Sequence, residues 1–256
     1  MEWIEVGDGC FAGRYEPFDV GVGVVIGDDG LLVVDTRAST RQGRTLRDDI
    51  RRLSTLPVRA VVDTHWHFDH CFGNGAFEGV PVYGHASVPR TLADRAEKTR
   101  AGLADEPGGE EYAETEVVPP DTTFQTVRSV VLGDRVVELV HPGRGHTDGD
   151  IVVLVPDADV LYAGDLIEES GPPAYGDDSY PLDWPATLEI LSGLLTPRTA
   201  VVPGHGKVVD QMYVLSQRGD LSRVAATVQR LWSEGVREEA VLDSGTWPFP
   251  VESLRV

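Results

Sequence analysis

Apolar residues along the chain fall mostly into short blocks, strand-sized and bounded by Gly, Asp and Pro. VGVGVVIGDDGLLVVDT, residues 20 to 36, is two β-rich runs around Gly27-Asp28-Asp29-Gly30. It predicts a hairpin with a four-residue turn that ends at Asp35. Ser39 then opens STRQGRTLRDDIRRLST, where Leu46, Ile50 and Leu53 recur at spacings of four and three. That period predicts a helix with one apolar face. VRAVVD (58 to 63) and VPVYG (80 to 84) predict strands, and a polar helix follows from about Ser87 to Arg100.

Further strands are expected at RSVVLG (128 to 133), RVVELV (135 to 140), IVVLV (151 to 155), VLYAG (160 to 164) and Ala200 to Val202. Helices are expected from Trp184 to Leu195 and from about Leu215 to Glu234. Strands precede helices in each half, which points to two similar α/β halves packed sheet on sheet. The acidic, Gly- and Pro-containing stretch AGLADEPGGEEYAETEVVPP, residues 101 to 120, lacks apolar periodicity and reads as an inserted loop within a single domain spanning 1 to 256.

Composition narrows the class of partner. The 42 acidic residues against 22 basic ones give a net charge of -20, which disfavours nucleic acid and anionic membranes, since phosphate binding needs clustered Lys and Arg. No apolar run is long enough to span a bilayer, and the opening MEWIEVGDG has neither a basic nor an apolar signal region. Cys10 and Cys71 make no disulfide framework. A cytoplasmic location and a small-molecule substrate are the resulting expectations.

Three of the chain's seven histidines lie in HWHFDH, residues 65 to 70, directly after an apolar run. On an extended segment side chains two apart point the same way, so His65 and His67 can reach one ion together. Asp69 and His70 follow the expected strand end, and the Gly73-Asn74-Gly75 turn behind them curls the chain, so they point to a second ion. Three more ligand-type residues sit where apolar strands meet loops: His146 in GRGHTDGD, Asp165 in LYAGDLI and His205 in VVPGHG.

The series HWHFDH, then GHT, then AGD, then PGHG resembles the metallo-β-lactamase-fold superfamily of hydrolases, in order, from about residue 20 to 210. The resemblance implies a four-layer αββα sandwich with a dinuclear metal site at one edge of the two sheets. It places His65, His67 and His146 on one metal, Asp69, His70 and His205 on the other, and Asp165 between them. Imidazole and carboxylate donors suit two zinc ions (Zn2+) best, with iron or manganese as alternatives. A metal-bridging hydroxide would then cleave an ester, thioester or lactone-type bond, with Asp69 orienting it or passing its proton onward.

Departures from well-known members shape the expected substrate. Where one group of zinc β-lactamases has Cys and, three residues later, a substrate-binding Lys, this chain has Asp165 and Glu168; Glu168 would repel an anionic β-lactam. The Asp in GD is the arrangement of glyoxalase-II-like thioester hydrolases, but their C-terminal basic cluster is missing. A lactonase Tyr is missing too. A β-lactamase-like amide hydrolase remains an alternative, as do a silent metal-binding scaffold and a persulfide-dioxygenase-like protein holding one iron on His65, His146 and Asp165. The loop EESGPPAYGDDSYPLDW (168 to 184) is placed to wall the pocket, with Glu168, Tyr175, Tyr180 and Trp184 as substrate contacts. Asp35 and Asp63 are candidates to hydrogen-bond the ligand imidazoles, whereas His85, His141 and Cys71 read as structural.

Overall fold

Strand-sized apolar blocks become strands because their β-branched residues pack well on pleated surfaces. The structure, a computed structural model, describes residues 2–106 and 108–255. The first half contains β1 (Ile4–Gly7), β2 (Cys10–Tyr15), β3 (Val20–Ile26), β4 (Leu31–Val34), α1 (Thr40–Leu53), β5 (Val58–Val62), α2 (Phe68–Cys71), β6 (Val82–His85), α3 (Val88–Gly102), α4 (Gly109–Ala113) and β7 (Thr122–Phe124). The second contains β8 (Val127–Leu132), β9 (Arg135–Val140), β10 (Val152–Val155), β11 (Val160–Glu168), α5 (Trp184–Ser192), β12 (Ala200–His205), α6 (Gln211–Ser233) and α7 (Val241–Ser244).

Hydrogen bonding links the strands in the order β7-β6-β5-β4-β3-β12-β11-β10-β9-β8, with β2 also on β3 and β1 on β2. The halves are joined along this path by one rung, His205 opposite Val20. Elsewhere they face each other. Cys10, Val25, Leu32, Val34 and Val62 from the first half share a core with Leu139, Val153, Val155, Tyr162 and Val202 from the second. The outer face of the first half buries Val22, Val24, Leu31 and Val33 with Leu46 and Ile50 of α1. The outer face of the second buries Leu161, Ala163 and Val201 with Leu188 and Leu191 of α5 and Val214 and Leu221 of α6. The layers therefore run helix, sheet, sheet, helix, the αββα sandwich expected, and strands covered on both faces explain the near-continuous apolar runs.

Local signals act where they stand. The Ser39 side chain caps α1 by accepting from the Gln42 amide at 3.0 Å, and Arg51 and Arg52 close its last turn. Asp210 caps α6 in the same way through the Tyr213 amide, so that helix begins at Gln211, four residues before the position its periodicity suggests.

One expectation needs adjusting, and two features are new. The β1–β2 hairpin is unforeseen, because IEVGDGCFAGRY mixes charge and glycine without clean alternation. The 101–120 stretch is only partly loop: α3 runs to Gly102 and α4 follows, anchored by Tyr112, which is buried beside Phe18 and Phe68. Phe249, near the C-terminus, packs on the core beneath α5 and α6. No helix among the described residues is long and apolar enough to cross a membrane.

Leu46 is wholly buried between α1 and the first sheet. Leu46→Ala should lower unfolding free energy by about 2–5 kcal/mol through lost burial and the cavity left behind, read as a lower urea midpoint at unchanged m-value.

Candidate metal centre

All seven ligand-type residues named from the sequence meet at the ends of strands along one edge of the sandwich. Donor atoms of His65, His67, His146 and Asp165 lie within 4.8 Å of one another, and so do those of Asp69, His70 and His205. His65 and His67 do not share a strand, contrary to the extended geometry expected: β5 stops at Val62, and both histidines lie in the following loop, His67 capping α2. That short helix carries Asp69 and His70 on the next turn, so HWHFDH still feeds two neighbouring centres. His146 comes from the β9–β10 loop, Asp165 from within β11 and His205 from the end of β12.

Asp165 stands between the two sets. Its Oδ2 lies 3.3 Å from His146 Nε2, 3.8 Å from His65 Nε2 and 3.4 Å from His205 Nε2, while Oδ1 lies 3.1 Å from His70 Nε2. Asp69 Oδ2 is 3.4 Å from His205 Nε2 and 3.6 Å from His70 Nε2. Two glycines allow the close packing here, Gly164 against Thr64 and Gly204 against this carboxylate. Gly164 has φ +53 and approaches so closely that a Cβ there would meet Thr64 at 2.7 Å, and a Cβ on Gly204 would run into Asp165 Oδ1. The AGD and PGHG signatures thus carry their glycines for steric reasons.

Each imidazole is oriented by its far nitrogen. His70 Nδ1 is 2.8 Å from Asp35 Oδ2, His205 Nδ1 is 2.8 Å from the Phe18 carbonyl, His146 Nδ1 is 3.1 Å from the Ala174 carbonyl and His67 Nε2 is 3.1 Å from Asp178 Oδ2. These four partners only accept, so the histidines must donate N–H outward. His65 Nδ1 meets the Thr64 hydroxyl at 3.1 Å, and that hydroxyl donates to Asp35 Oδ2 at 2.9 Å. In the neutral rings the remaining nitrogens then turn lone pairs inward. His146 Nε2 and His67 Nδ1 stand 2.7 Å apart, and buried His65 Nε2 has no hydrogen-bond partner. Converging lone pairs and carboxylates form a donor set that a divalent cation fits, and imidazoles held by an acceptor at the far nitrogen are the usual form of metal-binding histidine.

The electrostatics divide the two sets. Burial pushes His65 well below the ordinary histidine value and His146 down to about 4, so these two rings are neutral. Burial opposes charge on His70 too, but Asp165, Asp69 and Asp35 outweigh it and hold its pKa well up. His205 is raised to about 10 against the same burial, chiefly by Asp165. The four imidazoles around Asp165 overcome its burial and keep its carboxyl well below the usual range. The second set is therefore the more strongly cation-attracting.

The expected substrate contacts fare unevenly. Glu168 is buried, with Oε1 accepting from the Ser170 amide at 3.1 Å and hydroxyl at 2.6 Å, and it forms a close group with Asp165 and His205. Burial, then repulsion from Asp165, raises its carboxyl to about 7. Tyr180 lies half-buried under the Arg144 guanidinium, 4.3 Å from its ring centroid. Tyr175 packs edge-on to Trp184 at 5.7 Å. Trp184 is a correction: it is 0% exposed, donates to the Leu166 carbonyl at 3.2 Å and belongs to the core beneath the loop, so it offers no pocket surface.

Asp35 bonds a candidate ligand as expected, whereas Asp63 accepts from Asn74 and supports the turn behind the cluster. His85 and His141 stack on each other at 4.2 Å outside both sets, and the Cys71 thiol meets the Trp66 carbonyl. Missed from the sequence were Asp178, Thr64 and the Phe18 and Ala174 carbonyls. Asp178 lies over a hundred residues from His67 in an ordinary acidic loop, and backbone carbonyls carry no residue signature. Phe18 and Phe68, edge to face at 5.0 Å and half-buried, flank the second set and were also unforeseen.

Residues 16–206 match the sequence pattern of the metallo-beta-lactamase superfamily. A metallo-beta-lactamase type 2 from a Bacillus species is 28% identical over 216 residues, covering 83% of this chain and 76% of the relative. A linear primary-alkylsulfatase from a Pseudomonas species is 26% identical over 218 residues, covering 71% of this chain and 40% of that longer protein. Among solved structures, a metallo-beta-lactamase from Pontibacter korlensis superposes with a TM-score of 0.69 at 23% identity, covering 86% of this chain and 98% of that one.

Asp35 is fully buried and receives the Thr64 amide, the Thr64 hydroxyl and the His70 ring. Asp35→Ala strands all three and should cost about 3–5 kcal/mol, measured by urea unfolding of metal-free protein. A loss under 1 kcal/mol would mean that the network is not needed to hold the imidazoles.

Proposed function

The chain belongs to the metallo-beta-lactamase superfamily, and from that premise we propose that it is a hydrolase that holds two zinc ions and cleaves an ester, thioester or lactone-type bond in a small molecule. The observation that carries this reading is the orientation of the imidazoles: outward N–H groups fixed on acceptors, inward nitrogens gathered around one bridging carboxylate. His65 Nε2, His67 Nδ1 and His146 Nε2 would hold one ion, Asp69, His70 Nε2 and His205 Nε2 the other, and Asp165 would touch both. Such a pair of ions supplies Lewis acidity and lowers the pKa of water.

The remaining work falls to the chain. Asp69 Oδ2 sits at the rim of the second set, placed to take a proton and return it to the leaving group. Phe18 and Phe68 offer an apolar wall beside that set, and Tyr175 and Tyr180 line the loop opposite. Glu168, buried beside Asp165 and His205, offers an incoming anion no positive partner at this position. A β-lactam carboxylate or an alkyl sulfate, the anionic substrates that the relatives' names suggest, is therefore less suited here than an uncharged ester, thioester or lactone.

Metal analysis of purified protein should find about two zinc per chain, with activity lost on chelation and restored by zinc. Turnover should be found within a panel of uncharged ester, thioester and lactone substrates, set against β-lactams and phosphodiesters. About one iron per chain together with oxygen uptake would replace hydrolysis with redox chemistry. On the substrate identified, Asp69→Asn should lower kcat by about 10²–10⁴ while KM changes little. Zinc content measured on the same sample separates lost proton transfer from lost metal.

A further inference from the structure

The loop joining β11 to α5 supplies the outer partners of two of the three histidines in the first set. Asp178 Oδ2 accepts from His67 Nε2 at 3.1 Å and from the Trp66 indole at 2.7 Å. The Ala174 carbonyl accepts from His146 Nδ1 at 3.1 Å, and the Ser179 hydroxyl donates to the His146 carbonyl at 3.0 Å. The Asp178 side chain is only 12% exposed, whereas residues 170–172 of the same loop stand in solvent. Outer partners of the second set come from elsewhere: Asp35 at the end of β4 and the Phe18 carbonyl in the β2–β3 turn. The two sets are thus built by different means, one by a loop that returns from a hundred residues away, the other by strand ends and a tight hairpin.

We propose that Asp178 is a positioning residue for the first zinc site, and that docking of the 169–183 loop and binding of the first ion are one coupled event. This rests on the two-zinc reading above. With the loop in place His67 Nδ1 and His146 Nε2 are aimed inward; with it displaced both rings lose the acceptor that fixes their rotation. By reciprocity an ion that favours the aimed rings favours the docked loop by the same free energy. The same loop carries Tyr175 and Tyr180, so the substrate wall is assembled together with the first ion. Neighbouring Asp177 provides a control, since it pairs with Arg95 at 2.7 Å in solvent and touches neither histidine.

The test is zinc binding, read by competition with a chromophoric chelator, independent of turnover. Asp178→Ala should weaken one of two zinc ions by about 10–100-fold and leave the other nearly unchanged, Asp178→Glu should recover part of the loss, and Asp177→Asn should match the parent. In the unmodified chain, removing zinc should open the bond after Tyr175 to chymotrypsin, and adding it back should close it; the Tyr180-Pro181 bond resists that protease in either state. Two zinc ions bound by Asp178→Ala as tightly as by the parent, equal weakening of both, or a loop cut equally with and without zinc would overturn the coupling alone. A parent chain that binds no zinc would overturn the hydrolase reading with it.

Discussion

The site depends on a constraint that acts from outside it. An imidazole has two nitrogens, and an acceptor-only partner on one dictates the state of the other. Asp35, Asp178 and the carbonyls of Phe18 and Ala174 impose this on four rings, and Thr64 relays it to a fifth. Everything at the centre follows: lone pairs that face one another at short range, a carboxylate in their midst, and polar atoms buried without partners. A protein interior tolerates that crowding when positive charge can enter it. The strands and hairpins around the edge serve chiefly to keep these five outer contacts in register.

The two donor sets answer that demand unequally. His65 and His146 are deeply buried beside Asp165, which favours neutral rings. His70 and His205 face both Asp165 and Asp69. The second set therefore attracts charge by itself, and the first relies more on geometry. Asp165 is the element common to both, and the space for its carboxylate is made by Gly204 on the adjoining strand.

Much of this was legible in the sequence because the chemistry is written in rare residue types at the ends of apolar blocks. HWHFDH, His146, Asp165 and His205 declared themselves that way, and the alternation of strand and helix patterns carried the layering of the sandwich. What was hidden had no such signature. Asp178 is one acid among many, the carbonyls of Phe18 and Ala174 belong to no residue type, and the β1–β2 hairpin owes its pairing to β3 rather than to its own pattern. Trp184 misled for a related reason: an aromatic next to a loop looks the same in sequence whether it faces a ligand or the core, and only the surrounding leucines of α5 decide it. Tertiary contact, unlike periodicity, leaves no local trace.

The rung between Val20 and His205 joins the two sheets at the place where a ligand-type side chain leaves the backbone. The donors on either side of the centre come from opposite halves of the sandwich: His65, His67, Asp69 and His70 from one, His146, Asp165 and His205 from the other. An ion seated among them would act as a rivet through the seam, and its binding energy would count toward cohesion of the sandwich as well as toward chemistry. The molecule could then leave its sheets sparsely stitched at that edge, because the fastening would be supplied by the guest itself.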